Sequence, residues 1–230
     1  VSAEDLDLLE NRGVSNDFLA HFVRLNSISR RASTEKVMQR HIKPATAEAC
    51  VPYVELAKRW VNSANQLAVG QPQFFVSHCW SDTFYALTEQ LLCFTARESF
   101  NYIVYFWIDV FAVNQHKLDA TTELARIPHV IQCSQALICT LNPWTGPKVL
   151  TRVWCLWELL QAVRSGKTIR PTMPQSEEFK FLETVRQDRS QVDLVLATID
   201  VKKANATVAE DKEAIFDEIS TSLGYDSMNK

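Results

Sequence analysis

Glycine is scarce in this chain, with 5 in 230 residues. Few flexible linkers are therefore available, and neither glycine-rich phosphate loop, of the Walker or the dinucleotide kind, can be traced. Six cysteines are present, yet no two stand as Cys-x-x-Cys, so neither a zinc ribbon nor a dithiol redox motif is supported. Cys93, Cys133, Cys139 and Cys155 sit inside apolar runs, where a free thiol behaves as a small hydrophobe. A reducing, cytoplasmic setting is the simplest expectation, and no charged-then-apolar leader opens the chain. No sign of charge dominates: Lys plus Arg is 24, Asp plus Glu is 27 and the formal net charge is -3. Without a basic block, binding of nucleic acid through bulk electrostatics is not expected. The longest apolar run, 102 to 113, is broken by Asp109 and is too short to span a bilayer, so no membrane insertion is expected. His78, His116 and His129 lack metal-ligand spacing, so neither a metal nor a bound cofactor is expected. There is no internal repeat and no low-complexity segment.

What is present is ordinary globular composition, 47% apolar and 22% charged, on a chain long enough to bury one sizeable core. Residues 1 to 70 read as an N-terminal helical extension. Ser2 with Asp5 resembles a capping box, and Ser15 caps a helix through Leu25. Glu35 to Ile42 is a third helix, stopping at Lys43-Pro44, and Pro52 opens a fourth through Trp60 and Leu67. From residue 71 to 230 the pattern alternates between strand and helix. Phe74–Ser77, Tyr102–Val110, Ala136–Leu141 and Thr168–Thr172 read as strands. Thr83–Glu98, Ala120–Gln135 (kinked or cut short by Pro128), a segment after Arg152 and Glu210–Leu223 read as helices, with Gly224 as a stop. Such alternation implies an α/β fold with a parallel sheet covered on both faces, and a flavodoxin-like order 2-1-3-4-5 is the expectation.

In that order the ligand crevice lies beyond the carboxyl ends of the first and third strands. The residues leaving the strands there are Ser77-His78-Cys79-Trp80-Ser81-Asp82, Asp109 with Asn114-Gln115-His116, and Asn142-Pro143-Trp144. The helix 152 to 163 follows the third strand. Its Leu156, Leu159, Leu160 and Val163 form one stripe, leaving Trp154 and Glu158 one turn apart on the other face. Two readings compete. Either Trp154 packs under a loop and Glu158 is a surface acid, or the pair lines a pocket for a flat substrate that develops positive charge. The same choice holds elsewhere: His78 could bond loop backbone, Asp109 could cap a helix, Asn114-Gln115 could satisfy a turn, and Trp80 and Trp144 could be core lids.

Trp154-Cys155-Leu156-x-Glu158-Leu159 resembles the W-C-x-x-E-L helix motif of Toll/interleukin-1 receptor (TIR) domains, and Phe74-Phe75-Val76-Ser77-His78 resembles the strand that begins that fold. Tyr105-Phe106-Trp107-Ile108-Asp109 with Asn114-Gln115 resembles the W-I-D-x-x-C-I-N-Q signature of fungal heterokaryon-incompatibility (HET) domains, with Ala112 at the position of the cysteine. The resemblance covers about residues 73 to 165, and the loop from Val110 to Ala120 lacks the Pro-Gly usual in TIR assembly loops. It implies a flavodoxin-like, TIR-like domain working in signalling or innate immunity. One implied activity is hydrolysis of NAD+ at the nicotinamide–ribose bond. Glu158 would be the catalytic residue and Ser77, His78, Trp80, Asp109, Asn114, Arg152 and Trp154 would bind substrate. The other implied role is a non-catalytic adaptor that self-associates. The chemistry of the first is coherent, because breaking that bond creates an oxocarbenium-like centre that a carboxylate stabilises, while nicotinamide departs neutral from a cationic pyridinium.

Overall fold

The computed structural model describes residues 8–116, 125–197, 200–205, 209–222 and 224. Strands β1 (Gly13–Ser15), β2 (Val69–Gly70), β3 (Phe74–Ser77), β4 (Tyr105–Trp107), β5 (Ala136–Thr140) and β6 (Thr168–Thr172) form one sheet in the order β2-β1-β4-β3-β5-β6. β4, β3, β5 and β6 run parallel, with Phe74 opposite both Phe106 and Ala136; β1 runs antiparallel to β2 and to β4. The fold is thus α/β with a mostly parallel mixed sheet, and the order of its parallel strands is compatible with flavodoxin-like winding. After β6 the described chain is helical, so no fifth parallel strand follows among the described residues.

The first seventy residues differ from the all-helical extension expected of them. Two of the six strands come from this segment, and its Val14, Phe18, Phe22 and Tyr53 share one core cluster with Phe74 and Phe106. Two- and three-residue strands carry too little periodicity to be seen in sequence. Their pairing depends on glycine: a Cβ on Gly70 would stand 2.7 Å from the Tyr105 ring, and one on Gly13 would stand 2.7 Å from the Gly70 carbonyl.

The helices form where local signals place them, with some exceptions. Helix α1 (Asn16–Leu25) is capped by Ser15, whose hydroxyl accepts from the Phe18 N–H. Helix α2 (Thr34–Val37), capped by Ser33, runs on through a π-helical stretch, Met38–Ile42, to Lys43–Ala45. It passes Lys43-Pro44 by a single residue and ends at Ala45. The helix expected from Pro52 shrinks to α3 (Val54–Ala57). Helix α4 (Phe84–Glu98) is capped by Thr83 and buries Phe84, Leu87, Leu91 and Phe94 as one stripe. Tyr102–Val110 is not strand throughout: β4 ends at Trp107, and Asp109 opens α5 (Asp109–Ala112). Of the helix expected over 120–135, residues 117–124 lie outside the described residues, and α6 (Ile127–Cys133) begins with Pro128 in its first turn rather than being kinked by it. The Ser2–Asp5 capping box also lies outside them. Then come α7 (Val153–Arg164), α8 (Gln175–Gln187), α9 (Ser190–Ala197) and α10 (Ala209–Ser222), after which Gly224 turns back at φ +73.

Alternation along the strands sorts side chains to two faces. Phe74, Val76, Phe106 and Ile108 pack with α1 and α4, whereas Phe75, Trp107, Leu137 and Cys139 pack with α6, α7 and α10. No helix among the described residues is long and apolar enough to cross a membrane.

Candidate functional site

The carboxyl ends of β3 and β4 open into a cleft of about 400 Å³, a size at which small ligands are commonly held. β3 supplies its wall through His78, Cys79, Trp80 and Ser81, a segment turned back where the Asp82 N–H donates to the Cys79 carbonyl at 2.9 Å. β4 delivers Asp109, the first residue of α5. Across from them α7 presents Arg152 at its N-cap, then Trp154, Cys155 and Glu158. Ile127 of α6 and Glu35 of α2 complete the lining.

Glu158 is the chemical centre of this arrangement. It is not on a solvated face, as the helical wheel had suggested, but only 9% exposed. The reason is that α6 and α10 flank α7 while the sheet lies beneath it, so nearly its whole circumference is covered; Val163, expected in the buried stripe, is the residue left out at 49% exposure. Burial pushes the Glu158 carboxyl up to about 8; the Ser77 hydroxyl beside it works against that rise, and the charge of Asp109 adds to it. A carboxyl so placed holds its proton at neutral pH until something in the cleft favours the anion.

Asp109 is tied down. Its Oδ2 accepts from Trp80 Nε1 at 2.7 Å and its Oδ1 from the N–H of the next residue, Val110, at 2.6 Å, so it fixes an indole while itself being held at the start of α5. His78 Nε2 lies 3.7 Å from Asp109 Oδ1, beyond hydrogen-bond reach, and is buried without a partner. Ser77 Oγ, at the end of β3 below the cleft, is likewise buried and meets no partner at hydrogen-bond geometry. Unpaired buried polar atoms are uncommon in folded proteins, and His78 Nε2 is one in the wall of this cleft. Trp154 stands half-buried against Trp157, their centroids 5.5 Å apart at 82°; Trp157 in turn donates to Glu218 of α10 at 2.6 Å.

Cys155 in the cleft wall is poorly placed to act as a nucleophile. Cys155 donates to the His78 carbonyl at 3.4 Å, and burial, with the charge of Glu158 adding, pushes its thiol well above the ordinary range. Burial and Glu158 also push Cys139 up to about 12. A thiol that keeps its proton is a poor nucleophile. Among the described residues, no three His, Cys, Asp or Glu side chains gather to hold a metal ion.

Of the residues singled out in sequence, His78, Trp80, Asp109, Arg152, Trp154 and Glu158 meet in the cleft, with Ser77 beneath them. Asn114 does not join them: its amide donates to the Cys50 carbonyl at 2.6 Å and its carbonyl oxygen accepts from the His116 N–H at 3.0 Å, so it ties down a loop. Gln115 bonds the backbone of Asp109 and Val113. Trp144 is a core lid set against Phe181 at 5.5 Å. Glu35 went unnoticed in sequence, being part of a segment read as auxiliary. It reaches the cleft because α2 is zipped to the Trp80 loop: the Glu35 N–H donates to the Trp80 carbonyl at 3.1 Å and the Thr34 N–H to the Asp82 carbonyl at 2.9 Å.

A second groove of about 400 Å³ lies between α4, β6 and α8, but its charges are matched in the pairs Arg97–Glu178 and Arg170–Glu98. It contains none of the unpartnered buried polar atoms found among the described residues. Compared with protein-family models, with curated proteins and with solved structures, the chain finds no match in any of the three.

Proposed function

We propose that this is a flavodoxin-like, TIR-like domain whose cleft binds NAD+ or a related nicotinamide nucleotide and hydrolyses the nicotinamide–ribose bond. The observation that carries the reading is Glu158, a buried carboxyl at the carboxyl end of a parallel sheet in a cleft shared with two indoles. In the reaction the C1′–N bond breaks and its electron pair leaves with nicotinamide, which departs neutral. The anion of Glu158 faces the positive charge left on the ribose, water adds to C1′, and a proton passes to solvent. A free-enzyme carboxyl titrating near 8 makes kcat/KM rise with pH up to about that value. Trp80 and Trp154 offer ring contacts, His78 Nε2 is available to a sugar hydroxyl, and Ser77 stands behind Glu158.

The test is nicotinamide release from NAD+ by wild type and by Glu158→Gln. A loss on the order of a hundred-fold or more is expected, the usual cost of one transition-state electrostatic contact. Equal turnover in both removes Glu158 from catalysis. No turnover in either, even at high concentration, moves the function to the adaptor role. That second reading draws on a different surface: Phe179, Leu182 and Val185 are exposed at three-residue intervals along α8. It calls for light scattering that grows with concentration and ignores NAD+.

A further inference from the structure

Three donors on one stripe of α7 converge on a single carboxylate of α10. Trp157, Gln161 and Arg164 stand at i, i+4 and i+7, and Glu218 accepts from Trp157 Nε1 at 2.6 Å, from Gln161 Nε2 at 2.9 Å and from the Arg164 guanidinium. Glu218 lies 61 residues beyond Trp157 in the chain. Its helix buries Ile215 and Ile219 in the same cluster as Leu156 and Leu160. The start of α7 is held by the same part of the chain: the Val153 N–H donates to the Asn205 carbonyl at 3.1 Å and the Asn205 N–H to the Thr151 carbonyl at 2.8 Å. At about 100° per residue, Trp157 stands roughly 60° from Trp154 around the helix. Trp154 is therefore set between Trp157 and Glu158, and it lines the cleft with Glu158. The two indoles meet edge to face, centroids 5.5 Å apart at 82°, so the cleft's indole rests against one fixed by a hydrogen bond.

We propose that Glu218 is a positioning residue of the cleft: by holding the Trp157 indole it fixes the Trp154 ring on which a flat ligand packs. Docking of α10 thereby becomes a determinant of the cleft's affinity. The inference rests on the nicotinamide-nucleotide reading for its choice of probe only. Glu218 touches no ligand, and its effect passes through two rings. Attachment of α10 by itself does not call for an indole N–H, because Gln161, Arg164 and the two isoleucines already join the helices. Indole carries its one donor at the ring's edge, and engaging that donor sets the plane of the ring.

Two indoles this close and this far from coplanar couple in the far ultraviolet, giving paired circular-dichroism bands of opposite sign that report their mutual geometry. Loss of the bands in Trp154→Phe assigns them to this pair. Glu218→Ala should shrink or abolish them. The Glu218 side chain is 36% exposed, and its removal leaves Ile215 and Ile219 in place, so the fold should hold. With NAD+ as substrate the same variant should raise KM by up to about tenfold, the worth of one aromatic contact, while kcat changes little. Glu218→Gln, whose amide oxygen still accepts the Trp157 N–H, should restore both readouts although the charge facing Arg164 is gone. Arg164→Ala should lower the melting temperature without altering the bands or KM. Trp157→Phe keeps a ring and removes the N–H; it should raise KM as Glu218→Ala does, the double variant raising it no further, and it carries the test if Glu218→Ala does not fold. Unchanged bands in folded Glu218→Ala, or lost bands with an unchanged KM, would overturn the proposal. So would an Arg164→Ala variant with the same effects, since Glu218 would then merely attach α10. If the wild type cleaves no NAD+, the bands still decide for or against Glu218, and the hydrolase reading alone falls.

Discussion

On one face of the sheet Phe18, Phe22, Tyr53, Phe84 and Phe111 meet at tilted or edge-on angles, with centroids between 5.1 and 6.4 Å apart. On the other, under α7, the apolar packing of Phe75, Trp107 and Leu137 is interrupted by Ser77, Glu158 and Gln161, all buried. Both faces are covered and both descend from the same alternating strands. Edge-to-face rings bury area without leaving a polar atom unpaired, so the first face contributes stability at little cost. The second carries a buried acid that its surroundings would rather see neutral. Stability is concentrated on the first face, and the conditions for chemistry on the second.

The largest effect should come from breaking the ring cluster. Phe22→Ala removes a side chain that is fully buried among four other aromatic rings, and should destabilise the fold by about 3–5 kcal/mol as core Phe truncations do. Urea unfolding measures it; a loss near zero would mean that this face does not hold the fold together.

The opposite sign is expected across the sheet. For Glu158 the folded state holds the proton to about 8, whereas the ordinary value is 4.5. Between those values the folded protein binds more protons than the unfolded chain, so this group lowers stability progressively as pH rises through the window. Glu158→Gln removes the titration. It should raise stability by a few kcal/mol at pH 8, with the gain shrinking towards pH 4.5. Melting temperatures of both proteins across that range check this, and a pH-independent difference would refute the buried-acid account.

The smallest effect sharpens the boundary between the faces. Trp80→Phe keeps a ring but removes the N–H that bonds Asp109 at 2.7 Å. A loss of about 1 kcal/mol is expected for one such bond. Unfolding at pH 7 measures it, and no loss would show that Asp109 is held by α5 alone.

Much of this architecture was legible in the chain. Thr168–Thr172 and Phe74–Ser77 form as strands within the expected bounds, and Ser15 and Thr83 begin helices at their own positions. The six cleft residues could be gathered because strand exits are places of known chemistry in a parallel sheet. Asn114 misled because an amide at a strand exit has the same appearance whether it faces a ligand or, as here, the Cys50 carbonyl. Glu35 was silent because nothing local distinguishes an exposed glutamate in a first helical turn from one that borders a cleft.

Caps, periodicities and turn residues act over a few positions, and those the sequence determined by itself: the alternating strands and helices from residue 71, the capped helices and the amphipathic order of α4. Tertiary structure alone decided that Gly13–Ser15 and Val69–Gly70 join the sheet, that α2 closes on the Trp80 loop, and that Glu158 is buried. Each of these depends on neighbours distant in the chain. A carboxylate six residues from the nearest charge in the chain is an ordinary surface acid until α6 and α10 cover the helix that bears it, and its proton affinity is then set by the water those helices exclude.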